Sequence, residues 1–425
     1  MKFQTGTPEI FVNNNEKTSL SKQKNIKDFT INYIDLRVEI KYILITIYQA
    51  EKIMLDLQKM FASLLEMGGS DIHLKVGIKP IFRINGELVD WGDDIIAMDE
   101  MNDIADGLMG KKEKETFAEQ KEVDFGFGVK GVGRFRVNIY KQRGTVAVAI
   151  RAIPFDIKSI DELHLPEVLK KACSTPRGMI IVTGTVGSGK STTIASMLEY
   201  INQTRRTNII TIEDPIEFLF RDKKSVIHQR EVGSDTDSYQ GSLRYLLRQD
   251  PDIIMIGEIR DPDSMYTAIR AANTGHLVFT TLHTTDAIQT ISRILSFFPG
   301  DLQNEVRNLL AVTLTCIVSQ RLIPTRDGKG RVPATEILIN NETVKEAIID
   351  PAKQADIRMS IEKGEVIYGM HNFDQSIYKL YEKGLISYEE AIRGASTPAD
   401  FERRLKGLDS SGDNNYELGD YNANK

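Results

Sequence analysis

Residues Gly184 to Ser191 have the spacing G-x-x-x-x-G-K-S, which is typical of loops that bind nucleotide phosphates. Glycines in such a loop let the backbone turn so that its N–H groups and the next helix N-terminus face a phosphate. Lys190 would contact the β- and γ-phosphates, and Ser191 would bind Mg²⁺. An apolar run over 179–182 precedes the loop and a helix-compatible segment over 192–201 follows it, so the sequence predicts an NTPase. The predicted phosphate-binding residues are Gly184, Thr185, Val186, Gly187, Ser188, Gly189, Lys190, Ser191 and Thr192.

A second chemical candidate is Glu258, which follows four apolar residues over 253–256. An acidic residue at the carboxyl end of a buried strand lies where ligands of open α/β sheets bind. The segment resembles a Walker B element, although Gly257 stands where an acidic residue is frequent. Glu258 would therefore organise Mg²⁺ or water. The alternative is a solvated carboxylate that ends an ordinary strand.

Three carboxylates, Glu213, Asp214 and Glu217, follow another strand-like run over 208–212. Clustered like charges are unfavourable without a cation or a basic partner. We expect these residues at the phosphate end of the sheet, and a surface acidic turn is the alternative.

Two histidines, His276 and His283, flank the apolar run 277–282. A metal site built on this pair would lack a third ligand. The functional interpretation is that they sense the γ-phosphate, and a structural role is the alternative.

Composition limits the class of protein. With 425 residues, 41% of them hydrophobic, the chain can form two hydrophobic cores. A net charge of −6 and a pI near 5.7 argue against a broad nucleic-acid surface, so no nucleic-acid partner is predicted. The two cysteines, Cys173 and Cys316, are far apart and form no C-x-x-C pair, which excludes a disulfide framework and a four-cysteine zinc site.

The longest apolar runs, over 42–48 and 309–318, are shorter than the roughly 20 residues that span a bilayer. No transmembrane helix is predicted, and a reducing cytoplasm fits the cysteine content. Residues 1–53 differ in composition from the rest, and Met54 is the expected translation start. That segment is interpreted as an N-terminal extension.

Residues 54–153 predict a small mixed domain. A helix pattern from Met54 precedes a half-buried strand in which Ile72 and Leu74 alternate with polar residues. The pair Asn85–Gly86 favours a type I′ hairpin. Further along, Arg134 and Arg136 alternate with apolar residues, which gives one strand face a positive charge.

A linker is predicted over 154–166 and a P-loop core over 167–345. Within this core, four short apolar runs alternate with helical segments, as in a covered parallel sheet. The runs are 179–182, 208–212, 253–256 and 277–281.

After Pro299 the chain is expected to be mainly helical, with one apolar stripe from Leu302 to Ile317. A helical C-terminal region is predicted over 346–408, where Ser387 to Glu390 form a capping box. A disordered tail is predicted over 409–425.

Four ordered segments together resemble one family. GTVGSGKSTT (184–193), TIEDPIEF (211–218), DPDIIMIGEIRD (250–261) and GHLVFTTLHT (275–284) are similar to the Walker A, Asp box, Walker B and His box of secretion ATPases. The similarity is greatest to the PilT/PilU group of type IV pilus retraction motors and extends from Met54 to about Leu408. It implies an α/β chain with a PAS-like α+β N-terminal domain, a RecA-like P-loop ATPase domain and a helical C-terminal region.

The resemblance also implies function. It implies a cytoplasmic homo-hexamer that hydrolyses ATP with Mg²⁺ beneath the pilus machine, peripheral to the inner membrane through a platform protein. Lys190 and Ser191 would bind phosphate and Mg²⁺, Glu217 or Glu213 would be the base for the attacking water, and Glu258 would support metal and water. Arginines would also contact the nucleotide phosphates. The candidates are Arg134, Arg136, Arg244, Arg248, Arg260 and Arg270.

Two features concern the branch of the family. Extension and type II secretion ATPases usually carry a tetracysteine zinc element, which this chain cannot form. Residues 342–350 depart from the A-I-R-x-L-I-R-E-x-K pattern of PilT-type members, whereas 369–375 is more reminiscent of PilU. The alternatives to an autonomous retraction motor are therefore an accessory subunit that acts with a paralogous retraction ATPase, and an extension or secretion ATPase.

Overall fold

The computed structural model describes residues 57–405. The predicted N-terminal extension, the start at Met54, the apolar run 42–48 and the predicted tail 409–425 lie outside the described residues. The first part of the described chain holds three helices and a six-stranded antiparallel sheet of order β3-β2-β1-β6-β5-β4. Its elements are α1 (57–66), β1 (Gly69–Lys75), β2 (Ile81–Ile84), β3 (Glu87–Asp90), α2 (Met98–Leu108), α3 (Lys111–Gln120), β4 (Glu122–Val129), β5 (Gly133–Gln142) and β6 (Thr145–Ile153).

Local chemistry explains this sheet. The predicted hairpin is confirmed, because Asn85 and Gly86 join β2 to β3 with φ of 51° and 88°. On β5, Phe135 is buried, and its ring stacks on Phe61 of α1 with centroids 4.4 Å apart. The alternate residues of β5, which include Arg136, therefore lie on the opposite face of the sheet.

The second part holds a seven-stranded sheet of order β13-β12-β7-β11-β10-β8-β9. Every neighbouring pair is parallel except β12 and β13. The four predicted parallel strands are confirmed as β7, β8, β10 and β11. The elements are α4 (Val168–Cys173), β7 (Gly178–Thr183), α5 (Lys190–Thr204), β8 (Asn208–Glu213), β9 (Val226–Glu231), α6 (Tyr239–Leu246), β10 (Ile253–Ile256), α7 (Pro262–Asn273), β11 (Leu277–Leu282), α8 (Ala287–Ser296), α9 (Gln303–Thr313), β12 (Leu314–Pro324) and β13 (Arg331–Ile339).

The expected helical stripe from Leu302 to Ile317 is wrong beyond Thr313, where α9 ends and β12 begins. Residues of β12 are buried on both faces of the sheet, so they do not alternate between apolar and polar types. A short apolar run of this kind cannot be distinguished from a buried helix by its periodicity.

The C-terminal part is helical. Ser387 caps one of these helices, because its Oγ accepts a hydrogen bond of 3.2 Å from the backbone N–H of Glu390. No helix among residues 57–405 is both long and apolar enough to cross a membrane. The helices are α10 (Glu342–Ile349), α11 (Gln354–Lys363), α12 (Glu365–Tyr368), α13 (Phe373–Glu382), α14 (Tyr388–Gly394) and α15 (Pro398–Leu405).

Candidate nucleotide-binding site

The predicted phosphate-binding loop connects β7 to α5. Gly184, Gly187 and Gly189 have φ of 147°, 76° and 88°, conformations that side chains rarely adopt. A Cβ on Gly184 would also lie 2.5 Å from the backbone oxygen of Gln320. The glycines of the motif are therefore required by both the backbone conformation and the packing of the loop.

Lys190 begins α5 and is only 9% exposed. Its Nζ donates hydrogen bonds to the backbone oxygens of Gly184 (2.9 Å) and Thr185 (3.0 Å). Burial lowers the pKa of this lysine, and the nearby carboxylates of Glu258 and Glu217 oppose that effect. The ammonium group is thus held inside the curve of the loop, where a phosphate would contact it.

A cleft of about 440 Å³ lies in front of this loop. It forms where β7, β8, β10 and β11 end, because parallel strands bring their carboxyl ends to one edge of the sheet. The edge collects side chains from segments that are far apart in sequence. Predicted residues that line the cleft are Val186, Gly187, Ser188, Gly189, Lys190, Ser191, Thr192, Glu213, Glu217, Glu258 and His283.

Glu258 lines the cleft and contacts two basic side chains. Its two carboxylate oxygens contact Arg260 Nη2 at 2.7 Å and His283 Nε2 at 3.1 Å. The hydrogen bond from Arg260 holds the pKa of Glu258 below its usual range. The carboxylate therefore stays ionised and can bind a cation or orient a water molecule.

Glu213 and Glu217, the two predicted bases, have different environments. Glu213 is buried and accepts hydrogen bonds from Thr211 Oγ1 (2.6 Å) and Gln229 Nε2 (3.1 Å). Burial raises its pKa. Glu217 is exposed and lines the cleft. Of the two side chains, that of Glu217 is the freer to approach a water molecule.

The two predicted histidines lie at opposite ends of β11. His283 contacts Glu258 in the cleft. His276 precedes the strand, and its Nδ1 lies 2.9 Å from the backbone oxygen of Ala271. Six strand residues, about 20 Å, separate the two positions. The structure therefore does not bring His276 to this cleft, because a strand carries its two ends to opposite edges of the sheet.

Arg134 and Arg136 were predicted to contact the nucleotide, and in this structure both are paired with carboxylates. Arg136 makes a bidentate contact with Asp124, with Nε–Oδ1 and Nε–Oδ2 distances of 3.1 and 3.0 Å and an Nη2–Oδ2 distance of 2.5 Å. Arg134 Nη2 lies 3.2 Å from Oε2 of Glu231, a residue of β9 that is 2% exposed. Neither arginine lines the nucleotide cleft.

These pairs adjoin a second cleft of about 520 Å³ between the six-stranded and the seven-stranded sheet. Arg136 and Asp124 line one wall of it, and Asp214 and Pro215 line both this cleft and the nucleotide cleft. The two sheets meet closely at Gly126, where a Cβ would lie 2.6 Å from Glu231 Oε1. The arginines are thus placed beside the nucleotide cleft, on the other side of the Asp214–Pro215 segment.

None of the other four candidate arginines lines the nucleotide cleft either. Arg260 contacts Glu258, whereas Arg244, Arg248 and Arg270 are exposed and do not line the cleft.

Sequence reasoning missed Tyr239, Gln320 and Arg331. Tyr239 and Arg331 line the cleft, and Gln320 packs against the loop. No motif marks these three residues, because strands and helices outside the four motifs carry them.

The oxygen-rich cleft fits Mg²⁺. Such sites hold this cation with one or two protein oxygens together with phosphate oxygens. Ser191 and Glu258 both line the cleft and supply oxygen donors of that kind. The hydroxyl of Ser188 is buried and has no hydrogen-bond partner among the residues described.

A largely parallel sheet with a P-loop after one strand and carboxylates at the same edge defines a P-loop ATPase of the RecA-like class. Residues 48–409 match the family described as type II/IV secretion system protein. The chain is 38% identical over 360 residues to the type IV pilus ATPase PilU of Pseudomonas aeruginosa, covering 84% of this chain and 94% of PilU. It is 40% identical over 347 residues to the retraction ATPase PilT of the same organism, covering 82% of this chain and all of PilT.

The crystal structure of the pilus retraction motor PilT with bound ADP is also similar, with a TM-score of 0.74 and 45% identity. The match covers 81% of this chain and 98% of that one. This chain belongs to the type II/IV secretion system protein family, within the group that contains PilT and PilU. The predicted family, fold class and ATPase class are confirmed.

Proposed function

We propose that this chain hydrolyses ATP and uses the energy to power type IV pilus retraction by driving pilin disassembly. One observation carries the proposal. The cleft in front of the P-loop combines Lys190 and Ser191 with two acidic side chains, Glu217 and Glu258, from the segments that follow β8 and β10. Two relatives that align with this chain over most of their own length are named as a pilus retraction ATPase and a twitching motility protein.

Phosphoryl transfer needs positioning and charge stabilisation more than covalent chemistry. The P-loop N–H groups and Lys190 would bind the phosphates. Ser191 and Glu258 would hold Mg²⁺, which would supply positive charge to neutralise the transferred group. Glu217 accepts the proton of the attacking water, and Glu213 remains the alternative base. His283 and Arg260 keep Glu258 ionised and oriented.

Arg136 and Arg134 complete the site in this proposal. A guanidinium pairs bidentately with phosphate oxygens as well as with a carboxylate. Closure of the N-terminal domain on the nucleotide would bring these arginines to the γ-phosphate, and hydrolysis would release them. The proposed assembly is a cytoplasmic homo-hexamer that turns an inner-membrane platform protein, which makes the chain peripheral to that membrane.

Two measurements test the proposal. The purified chain should hydrolyse ATP in a Mg²⁺-dependent reaction whose specific activity rises with protein concentration as rings assemble. A strain without the gene should be hyperpiliated and unable to twitch. A strain without pili would instead indicate an extension or secretion ATPase.

An accessory role, in which the chain acts with a paralogous retraction ATPase, is the second candidate. The observation that favours it is the segment 342–350, which contains α10 and departs from the PilT-type pattern, together with the PilU-like segment 369–375. Weak ATPase activity of the isolated chain and no retraction in a strain without the paralogue would support this candidate. Strong activity and retraction without the paralogue would exclude it.

A further inference from the structure

Gln320 lies on β12 next to the P-loop, although no motif of the family resemblance includes it. The parallel pairing of β12 with β7 ends at Ser319 and Thr183. Gln320 therefore follows the last residue of β12 that pairs with β7, at the point where the chain leaves β7 and enters the loop. Its side chain is 3% exposed.

Both polar atoms of the Gln320 side-chain amide form hydrogen bonds. Nε2 donates a hydrogen bond of 2.7 Å to the backbone oxygen of Ser188, within the loop. Oε1 accepts a hydrogen bond of 2.7 Å from Thr193 Oγ1, in the first turn of α5. A side chain must be both donor and acceptor to make this pair of contacts, and an amide is one.

Two glycines of the loop pack directly on the same residue. A Cβ on Gly189 would lie 2.8 Å from Gln320 Nε2, and a Cβ on Gly184 would lie 2.5 Å from the Gln320 backbone oxygen. The loop is thus bound to β12 by a hydrogen bond to its carbonyl and by close packing at both ends. Lys190 instead contacts the start of the loop, where its Nζ donates to the backbone oxygens of Gly184 and Thr185.

We propose that Gln320 is a positioning residue, which holds the P-loop in its phosphate-binding conformation before nucleotide arrives. The proposal rests on the proposed ATPase function. Without these two hydrogen bonds the loop would occupy its binding conformation for only a fraction of the time. Apparent affinity for nucleotide falls by that fraction, whereas turnover at saturation changes little because bound nucleotide restores the conformation.

The experiment compares Gln320→Met with the unchanged full-length protein. Methionine has a similar volume, cannot donate to Ser188, and offers Thr193 only a weakly accepting thioether. We expect KM for ATP and Kd for ADP, measured by calorimetric titration, to rise about tenfold, with kcat within about twofold. Thr193→Val, which removes one of the two contacts, should raise both constants by a smaller factor.

Thr313→Val is the matched control. It removes a buried hydroxyl that donates to the Leu309 backbone oxygen at 2.7 Å, at the opposite end of β12 from the P-loop. It should lower the melting temperature without changing KM or Kd. Gln320→Glu, which keeps the acceptor but loses the donor to Ser188, should resemble Gln320→Met rather than the control.

Two results would overturn the proposal. Unchanged KM and Kd in Gln320→Met would show that the contacts do not position the loop. A fall in kcat at unchanged KM, in proportion to lost folded protein, would show that Gln320 only stabilises the fold. ADP titration does not depend on turnover. If the unchanged protein binds ADP but does not hydrolyse ATP, the proposed function is contradicted, and the ADP titrations of the variants still test the role of Gln320.

Discussion

The P-loop and strand β5, which carries Arg134 and Arg136, were predicted to contact the same phosphates. The two regions differ in whether their side chains are already in place for that contact. The P-loop is built from eight consecutive residues, and the hydrogen bonds of Lys190 stay within it. Arg136 and Arg134 instead hold Asp124 and Glu231, beside the cleft rather than in it. Local sequence therefore forms the phosphate-binding half of the site, whereas the arginine half must exchange partners to act.

This difference has an energetic consequence. Arg136 must leave a bidentate carboxylate before it can bind a phosphate, so the net gain is the difference between two similar interactions. Changes in the P-loop half should therefore have large effects on activity, and changes in the arginine half should have moderate ones.

Lys190→Ala tests the P-loop half and should have the largest effect. Loss of the charge that contacts the phosphates should reduce ATP turnover by at least about 100-fold. The measurement is steady-state phosphate release, with circular dichroism to confirm folding. Lys171→Ala, which removes an exposed lysine that does not line the cleft, is the control. Turnover equal to that of the unchanged protein would exclude the P-loop assignment.

Glu217→Gln and Glu213→Gln test which carboxylate is the base. Removing a general base lowers kcat by about 100-fold or more. We expect that loss for Glu217→Gln, because its side chain is exposed in the cleft, and a smaller loss for the buried Glu213→Gln. Single-turnover hydrolysis and ADP titration separate chemistry from binding. The reverse order of effects would assign the base to Glu213.

Arg136→Ala tests the arginine half. We expect turnover to fall about tenfold, with a smaller change in ADP affinity, because the contact would form with the γ-phosphate. Arg151→Ala is matched to it, since Arg151 pairs with Arg136 across β5 and β6 and contacts Asp71 at 2.8 Å. Equal activity of both variants and the unchanged protein would remove the arginine clamp from the mechanism.

His371→Gln should leave both halves unchanged and alter only stability in acid. The ring of His371 is buried between the Thr335 hydroxyl, 2.9 Å from Nε2, and the Gly369 backbone oxygen, 3.3 Å from Nδ1. The carbonyl can only accept, so Nδ1 carries the proton. Burial lowers the pKa of His371 to about 4.

The unfolded chain therefore binds more protons than the folded one between about pH 4 and pH 6.5. The free energy of unfolding should fall as pH decreases through this range, by at most about 3 kcal/mol from this residue, and should not depend on it above pH 6.5. Thermal melts of the unchanged and His371→Gln proteins measure the difference. Parallel pH profiles of stability would contradict the assignment of this pH dependence to His371. Altered ATP turnover would instead indicate that residues 369–375 affect the nucleotide-binding site.

The sequence predicted the parts of the molecule whose signals are local. The glycines and Lys190 form a contiguous motif, and the Asn85–Gly86 hairpin needs only two residues with positive φ. The partners of Arg136 and Arg134 were not predictable, since Asp124 lies on a neighbouring strand and Glu231 lies on another sheet. Gln320 was missed for the same reason, and β12 was taken for helix because burial on both faces removes its alternation.

Gly126 makes the distance between the two sheets adjustable in small steps. No side chain separates β4 from the Glu231 carboxylate at this position, and an added methyl group would meet both Glu231 and Arg134 within 2.7 Å. Alanine, serine and valine at position 126 would therefore separate the two sheets by increasing distances at this contact. Such a series would measure how much separation the motor tolerates before ATP hydrolysis and movement are no longer linked.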